Sequence, residues 1–165
     1  MLENTTIRYA TADDIAIIQE IAYQTWPKTY GRIISQDQIE YMLEKMYSSS
    51  VLLNEIYSGI YFLIAEIEEE AVGFASFGFL GNNEYKLHKL YINPTNQKTG
   101  TGKQLLAEVT KKVVSLGGKA LYLQVNRANK AVGFYQKMGF EIVEEKDFDF
   151  GNGFFMNDYV MRLSL

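Results

Sequence analysis

Cysteine is absent from the 165 residues, which excludes disulfides, thiolate metal sites and a cysteine nucleophile. Histidine is almost absent too. With His88 alone, a metal site would have to be built from carboxylates, and a Ser–His–Asp triad would have to centre on that one residue. No run approaches the roughly 20 apolar residues needed to cross a bilayer. The start, Met1-Leu2-Glu3-Asn4-Thr5-Thr6, has neither a basic segment before an apolar stretch nor a small-residue cleavage site. A cytoplasmic protein without a membrane partner is therefore expected. Basic residues are not in excess: the formal net charge is −4. An acidic surface repels phosphate backbones, so nucleic acid is not an expected partner. What is abundant is apolar and aromatic side chain, 47% and 14% of the residues, enough for one continuous core in a single domain spanning 1–165.

The patterning changes period along the chain. Thr6 to Tyr9 reads as a short strand. Thr11 and Asp14 then form a capping box before Ile15, Ile18, Ile21, Ala22 and Trp26, whose spacing predicts a helix to about Pro27. Ser35 and Gln38 repeat the cap ahead of a second stripe, Ile39, Met42, Leu43 and Met46. A short helical turn is expected around Val51 to Ile56. Ile60–Ile67, Ala71–Phe79 and Tyr85–Ile92 read as three strands, the first two joined through the turn Glu68-Glu69-Glu70. Helices at Gly100–Leu116 and Asn129–Met138 flank a strand at Ala120–Val125. Strands at Phe140–Val143 and Phe154–Leu163 follow, with the acidic run from Glu144 to Asp149 between them as a solvated loop. This order implies an α/β fold: a mixed, mostly antiparallel sheet of about seven strands with helices on both faces.

Chemistry concentrates between Tyr85 and Lys103. Gly100 and Gly102 stand just before a helix, where uncovered backbone N–H groups and the positive end of the helix dipole suit a phosphate. Lys98 and Lys103 add positive charge. Two better-known phosphate loops fail here. The nucleoside-triphosphate loop needs glycine where Gln97 stands and Ser or Thr where Gln104 stands; the dinucleotide fingerprint needs a third glycine at Leu105. The pattern that fits is Gln97-Lys98-Thr99-Gly100-Thr101-Gly102 after Leu90-Tyr91-Ile92-Asn93-Pro94. A second block follows in order, Asn129-Lys130-Ala131-Val132-Gly133-Phe134-Tyr135-Gln136-Lys137-Met138-Gly139-Phe140.

Together the two blocks resemble the GCN5-related N-acetyltransferase superfamily, and the order of elements agrees from Thr6 to Leu163. The resemblance implies acetyl-CoA as cosubstrate, direct transfer to an amine, and no metal. It implies a bulged strand that splays at Leu90–Ile92 from the strand at Leu123–Val125. The pantetheine arm would then contact Leu90, Tyr91, Ile92, Val125 and Asn126. Gln97, Lys98, Thr99, Gly100, Thr101, Gly102 and Lys103 would take the pyrophosphate, and Asn129 the pantetheine. Tyr135 matches the family's general acid and would stand beside the bound thioester. Many members carry a glutamate where Lys86 stands here, which leaves the base open. His88, with an ordinary pKa of about 6.5, is one candidate; Glu84 and ordered water are others. Trp26, Tyr30 and Arg32 fall where the family builds its acceptor pocket, and aromatic faces there favour a cation. The layout is most similar to bacterial small-molecule members, the spermidine/spermine acetyltransferases among them. Protein N-terminal or lysine acetylation is an alternative, as is a non-catalytic acetyl-CoA sensor. A monomer or homodimer is expected.

Overall fold

A computed structural model describes residues 5–165; the reading of Met1 to Asn4 lies outside the described residues. Strand β1 (Thr5–Tyr9) leads into a 3-10 turn, Ala12–Asp14, and helix α1 (Ile15–Tyr30). Helices α2 (Gln36–Tyr47) and α3 (Ser49–Tyr57) follow. Then come β2 (Tyr61–Ile67), β3 (Glu70–Gly81), β4 (Glu84–Ile92), α4 (Thr101–Ser115), β5 (Ala120–Asn126), α5 (Ala131–Lys137), β6 (Glu141–Gly151) and β7 (Phe154–Ser164). The strands form one seven-stranded sheet in the order β1-β2-β3-β4-β5-β7-β6. Every pairing is antiparallel except β4 with β5.

Two cores form, one on each face of the sheet. Leu105, Leu106, Val109 and Val113 of α4 pack with Leu87, Leu121 and Leu123 on one side. Ile18, Ile21, Ala22 and Trp26 of α1 pack with Ile39, Met42 and Phe74 on the other. A fully buried aliphatic side chain of this kind contributes about 1.5–3 kcal/mol. The capping box is present, with Asp14 receiving the Thr11 N–H at 2.8 Å, and Arg8 of β1 clamps the same carboxylate. At α2 only half of the second box forms. Ser35 accepts from the Gln38 N–H, but the Gln38 carboxamide reaches away to the Phe155 carbonyl at 2.6 Å.

Three expectations change. α1 does not stop at Pro27; it continues a turn to Tyr30, whose ring packs tilted against that of Trp26 (4.4 Å between centroids). The turn at Val51–Ile56 is a full helix, α3. The acidic run is not a loop. Glu144 to Asp149 lies in β6, paired along its length with β7. Its charges sit on the exposed edge of the sheet, where they discourage pairing with another chain.

The β2–β3 hairpin turns on Glu68 (φ 51°) and Glu69 (φ 67°), both in the left-handed region. Two-residue turns of this kind prefer Asn-Gly, because a Cβ is strained at positive φ. Replacing Glu68-Glu69 by Asn-Gly is expected to add about 1 kcal/mol of stability. Urea unfolding checks this through a higher midpoint at unchanged slope.

Candidate functional site

β4 and β5 are paired only from Glu84↔Ala120 to Leu87↔Leu123. Beyond Leu87 the strands part, and the β5-facing backbone groups of β4 lose their ladder partners. The cause is a bulge. Phe77 pairs with Leu87 and Ser76 with Lys89, so His88 is an extra residue without a partner on β3. Tyr85 and Leu87 face the α4 side before the bulge, whereas Leu90 and Ile92 face it afterwards. A bulge twists and bends its strand, and here it opens a narrow cleft of about 50 Å³. Tyr30, His88, Leu90, Tyr91, Asn129 and Tyr135 are among its lining residues.

β4 runs on into a short 3-10 turn at Pro94–Asn96 and then the loop to α4. Lys98 and Gly100 both take left-handed backbone (φ 67° and 87°). The first bond of the helix is Gln104 N–H to Gly100 carbonyl, 3.0 Å. The amides of Thr101, Gly102 and Lys103 therefore have no acceptor among the described residues, the arrangement that binds an anion. Thr99 and Thr101 hydroxyls sit 2.8 Å apart, and Thr99 also donates to the Asn96 carbonyl at 2.6 Å, bracing the turn. The Gln97 carboxamide is tied to the Ile92 carbonyl at 3.1 Å. A Cβ on Gly102 would meet Phe134 at 3.7 Å and Ile92 at 3.8 Å, ordinary contacts. The start of α4 thus abuts the end of β4 and α5, which carries Tyr135.

Tyr135 is 7% exposed, and its hydroxyl makes no hydrogen bond among the described residues. Burial, with Tyr30 adding, pushes that hydroxyl well above the usual tyrosine range, so it stays protonated at neutral pH. Tyr30 and Tyr91 share a hydrogen bond of 3.0 Å between their hydroxyls. Burial pushes Tyr30 up to about 12, against the opposing effects of Tyr91 and the Asn129 carboxamide. At the start of α5 the Asn129 Oδ1 receives the Ala131 N–H at 2.9 Å, while its carboxamide NH2 faces the Tyr30 hydroxyl. Asn126 is buried and uses its Oδ1 on the Ala128 N–H, 2.9 Å.

Other residues depart from expectation. Trp26 is 1% exposed and lies in the core among Tyr30, Tyr47 and Tyr91; it supports the cleft wall but is not part of it. Arg32 points to solvent. Glu84 sits at the paired end of β4 and receives the Tyr122 hydroxyl at 3.1 Å, away from the opening. His88 lies on the side of Lys86, against Gly78, as strand alternation from Leu87 implies; the bulge changes the face only from Lys89 onward. Desolvation by its neighbours, then the charges of Lys86 and Lys89, pull its imidazole down to about 4. His88 is neutral at pH 7 and a weaker base than a free histidine. Lys86 is bonded to the Gln124 carboxamide. Burial lowers its ammonium pKa, with Asp158 opposing and Lys89 adding. Lys89 is buried in an ion pair with Glu55 of α3, 2.9 Å.

Reading the chain by itself passes over Asp158. It is 5% exposed, faces Asn126 across the β5–β7 pairing, and its Oδ1 is buried without a hydrogen-bond partner. Desolvation raises it to about 6, against the favourable charges of Arg127 and Lys86. The available signal was an acid on the inward parity of β7, between Met156 and Val160. Among the described residues no group of three or more His, Asp or Glu side chains is placed to hold a metal ion. No helix among them is long and apolar enough to cross a membrane.

Residues 32–163 match the family model described as the acetyltransferase (GNAT) domain. The spermidine N(1)-acetyltransferase of Thermoplasma acidophilum is 32% identical over 150 residues, 87% of this chain and 92% of that protein. The crystal structure of PaiA N-acetyltransferase from the same organism, in complex with coenzyme A, superposes with a TM-score of 0.85. It is 30% identical, and the match covers 98% of this chain and 99% of that one. A GCN5-related N-acetyltransferase from Rhodopseudomonas palustris superposes at 0.86 over 100% of this chain and 98% of its own, at 20% identity.

Proposed function

Because this chain belongs to the GNAT acetyltransferase family and is an N-acetyltransferase, we propose that it moves acetyl from acetyl-CoA to a primary amine of a small molecule, with polyamines the first acceptors to test. One observation carries the reading: the strand opening beyond Leu87 leads on one side to uncovered amides at Thr101–Lys103 and on the other to buried, protonated Tyr135. The residues present fit acetyl-CoA. Amides of Thr101, Gly102 and Lys103, with the ammonium groups of Lys98 and Lys103, would hold the diphosphate. The unpaired β4 edge at Leu90–Ile92 would pair with the amides of the pantetheine arm, and the second N–H of the Asn129 carboxamide would donate to it. Acetyl-CoA supplies an activated carbonyl and a sulfur leaving group. Tyr135 holds a proton where a departing thiolate needs one, a contribution typically worth about 10²–10⁴-fold. The relative named a spermidine acetyltransferase, with 92% of its length matched, supports a polyamine acceptor. We also read residues 1–165 as one N-acetyltransferase domain; a single sheet drawing strands from both ends supports this.

An amine panel tests the reading: thiol release from acetyl-CoA with polyamines, amino acids, aminoglycosides and peptide N-termini. Turnover is expected with a diamine or polyamine at least tenfold above background hydrolysis. Turnover confined to peptide N-termini would move the acceptor to protein. Tight acetyl-CoA binding with no thiol release on any amine would favour the sensor.

A further inference from the structure

Among the described residues, Asp158 is the one buried carboxylate near the cleft that has no assigned role, and its setting points to a cation. Its row on β7 faces the α1–α2 side: Met156, two residues earlier, packs in that core. Tyr30 of the cleft wall and Lys86 of β4 both feel its charge. It stands one strand beyond β5, level with Asn126, where β4 and β5 have already parted. Asp158 lines neither cavity itself, but Val160, two residues on, and Lys146, its partner on β6, border a groove of about 250 Å³ together with Lys86, Tyr122, Gln124 and Phe148. Gln124 lines both this groove and the cleft, so an acceptor entering along the groove arrives at the thioester from the face opposite α4. No side-chain hydrogen bond to Asp158 forms among the described residues, and Oδ1 is sealed from water. Burying a carboxylate without a partner is costly, and a site that retains one is organised for a charge brought by the ligand.

We propose that Asp158 receives the ammonium group of the acceptor amine and takes the proton that must leave before nitrogen attacks. This assignment rests on the acetyl-transfer reading above. The balance is simple. The ammonium N–H bond breaks and an Asp158 O–H bond forms. The free amine lone pair attacks the thioester carbonyl, so a C–N bond forms and the C–S bond breaks. Sulfur gains the Tyr135 proton, and the surplus proton on the new amide nitrogen returns to Tyr135. Asp158 releases its proton to solvent as product leaves. The net proton goes to water, as acetylation of an ammonium requires.

The groups facing Asp158 are Lys86 from β4, Arg127 after β5, Lys146 and Asp147 from β6, and Tyr30 from α1. Of these, Lys86 and Arg127 favour its ionised form, whereas burial and Asp147 oppose it. The active form is the carboxylate, so kcat/KM for the amine is expected to fall as pH drops through the region near 6.

Asp158→Asn keeps the shape and removes the charge. With the best amine of the panel, kcat/KM is expected to fall at least about 10²-fold while coenzyme A binding by calorimetry stays within twofold. The acid limb should vanish from the remaining activity. A readout independent of turnover is thermal stability against pH. The carboxylate pKa is raised by folding, so its cost is absent at low pH and appears as pH rises towards 6. The variant should therefore melt above wild type at pH 7.5, and the gap should close towards pH 4. Wild-type turnover with an unchanged acid limb and kcat/KM within threefold in the variant would overturn the assignment alone. A wild type that acetylates no amine would remove the acetyl-transfer reading, and Asp158 with it. Unaltered coenzyme A binding in both proteins shows that neither result comes from misfolding.

Discussion

Tyr135→Phe is expected to lower kcat for acetyl transfer by about 10²-fold or more while leaving the Kd for acetyl-CoA within about twofold. The ring is the larger part of the residue and packs between Phe134 and Phe140, at 5.2 and 5.5 Å between centroids. Phenylalanine preserves those contacts, so stability should hardly move. What disappears is one O–H group that meets no acceptor within the described chain. Its proton is available over the whole working pH range, because burial holds the hydroxyl well above the usual tyrosine value. Stopped-flow thiol release separates chemistry from binding. A loss confined to affinity, with kcat intact, would make Tyr135 a packing residue and leave sulfur to be protonated by water.

Gly102→Asp is expected to weaken coenzyme A by at least about 10²-fold and to leave the fold as stable as wild type or more so. The two effects have opposite physical origins. Asp has a higher helix propensity than glycine and places a negative charge in the first turn, worth about 0.3–1 kcal/mol. Its Cβ would rest 3.7 Å from Phe134 and 3.8 Å from Ile92, so nothing in the protein has to move. The same carboxylate occupies the space in front of the Thr101–Lys103 amides and repels a diphosphate. Losing two charge-assisted hydrogen bonds at about 1.5–3 kcal/mol each accounts for at least the hundredfold. Paired urea unfolding and calorimetry measure both halves. Destabilisation with unchanged affinity would show that glycine is there for packing.

How much of this was readable before folding depends on the residue. The loop from Gln97 to Gly102 was legible, since glycine at a helix start has few purposes and its chemistry is local. The block from Asn129 to Phe140 was legible for the same reason: Asn129, just before α5, and Tyr135, within it, lie six residues apart. The bulge was not. Nothing in Lys86-Leu87-His88-Lys89-Leu90 marks where alternation slips, and one extra residue reverses the face of everything after it. Trp26 read as a pocket wall because helix ends near that position are variable; long-range contacts with Tyr47 and Tyr91 take it into the core instead. The acidic run from Glu144 to Asp149 has the charge of a solvated loop; what makes it a strand is its partner, β7, across a tight hairpin through Asn152 (φ 57°). Asp158 required the fold itself, because an unpartnered carboxylate is defined by what fails to approach it.

Amide chemical shifts during titration with coenzyme A test the binding site most directly. Signals from Thr99 to Lys103 should move first and saturate at one equivalent, with Leu90 to Ile92 following as the pantetheine arm pairs along the open edge. Saturable binding that leaves those amides unmoved, and shifts resonances elsewhere, would contradict the site.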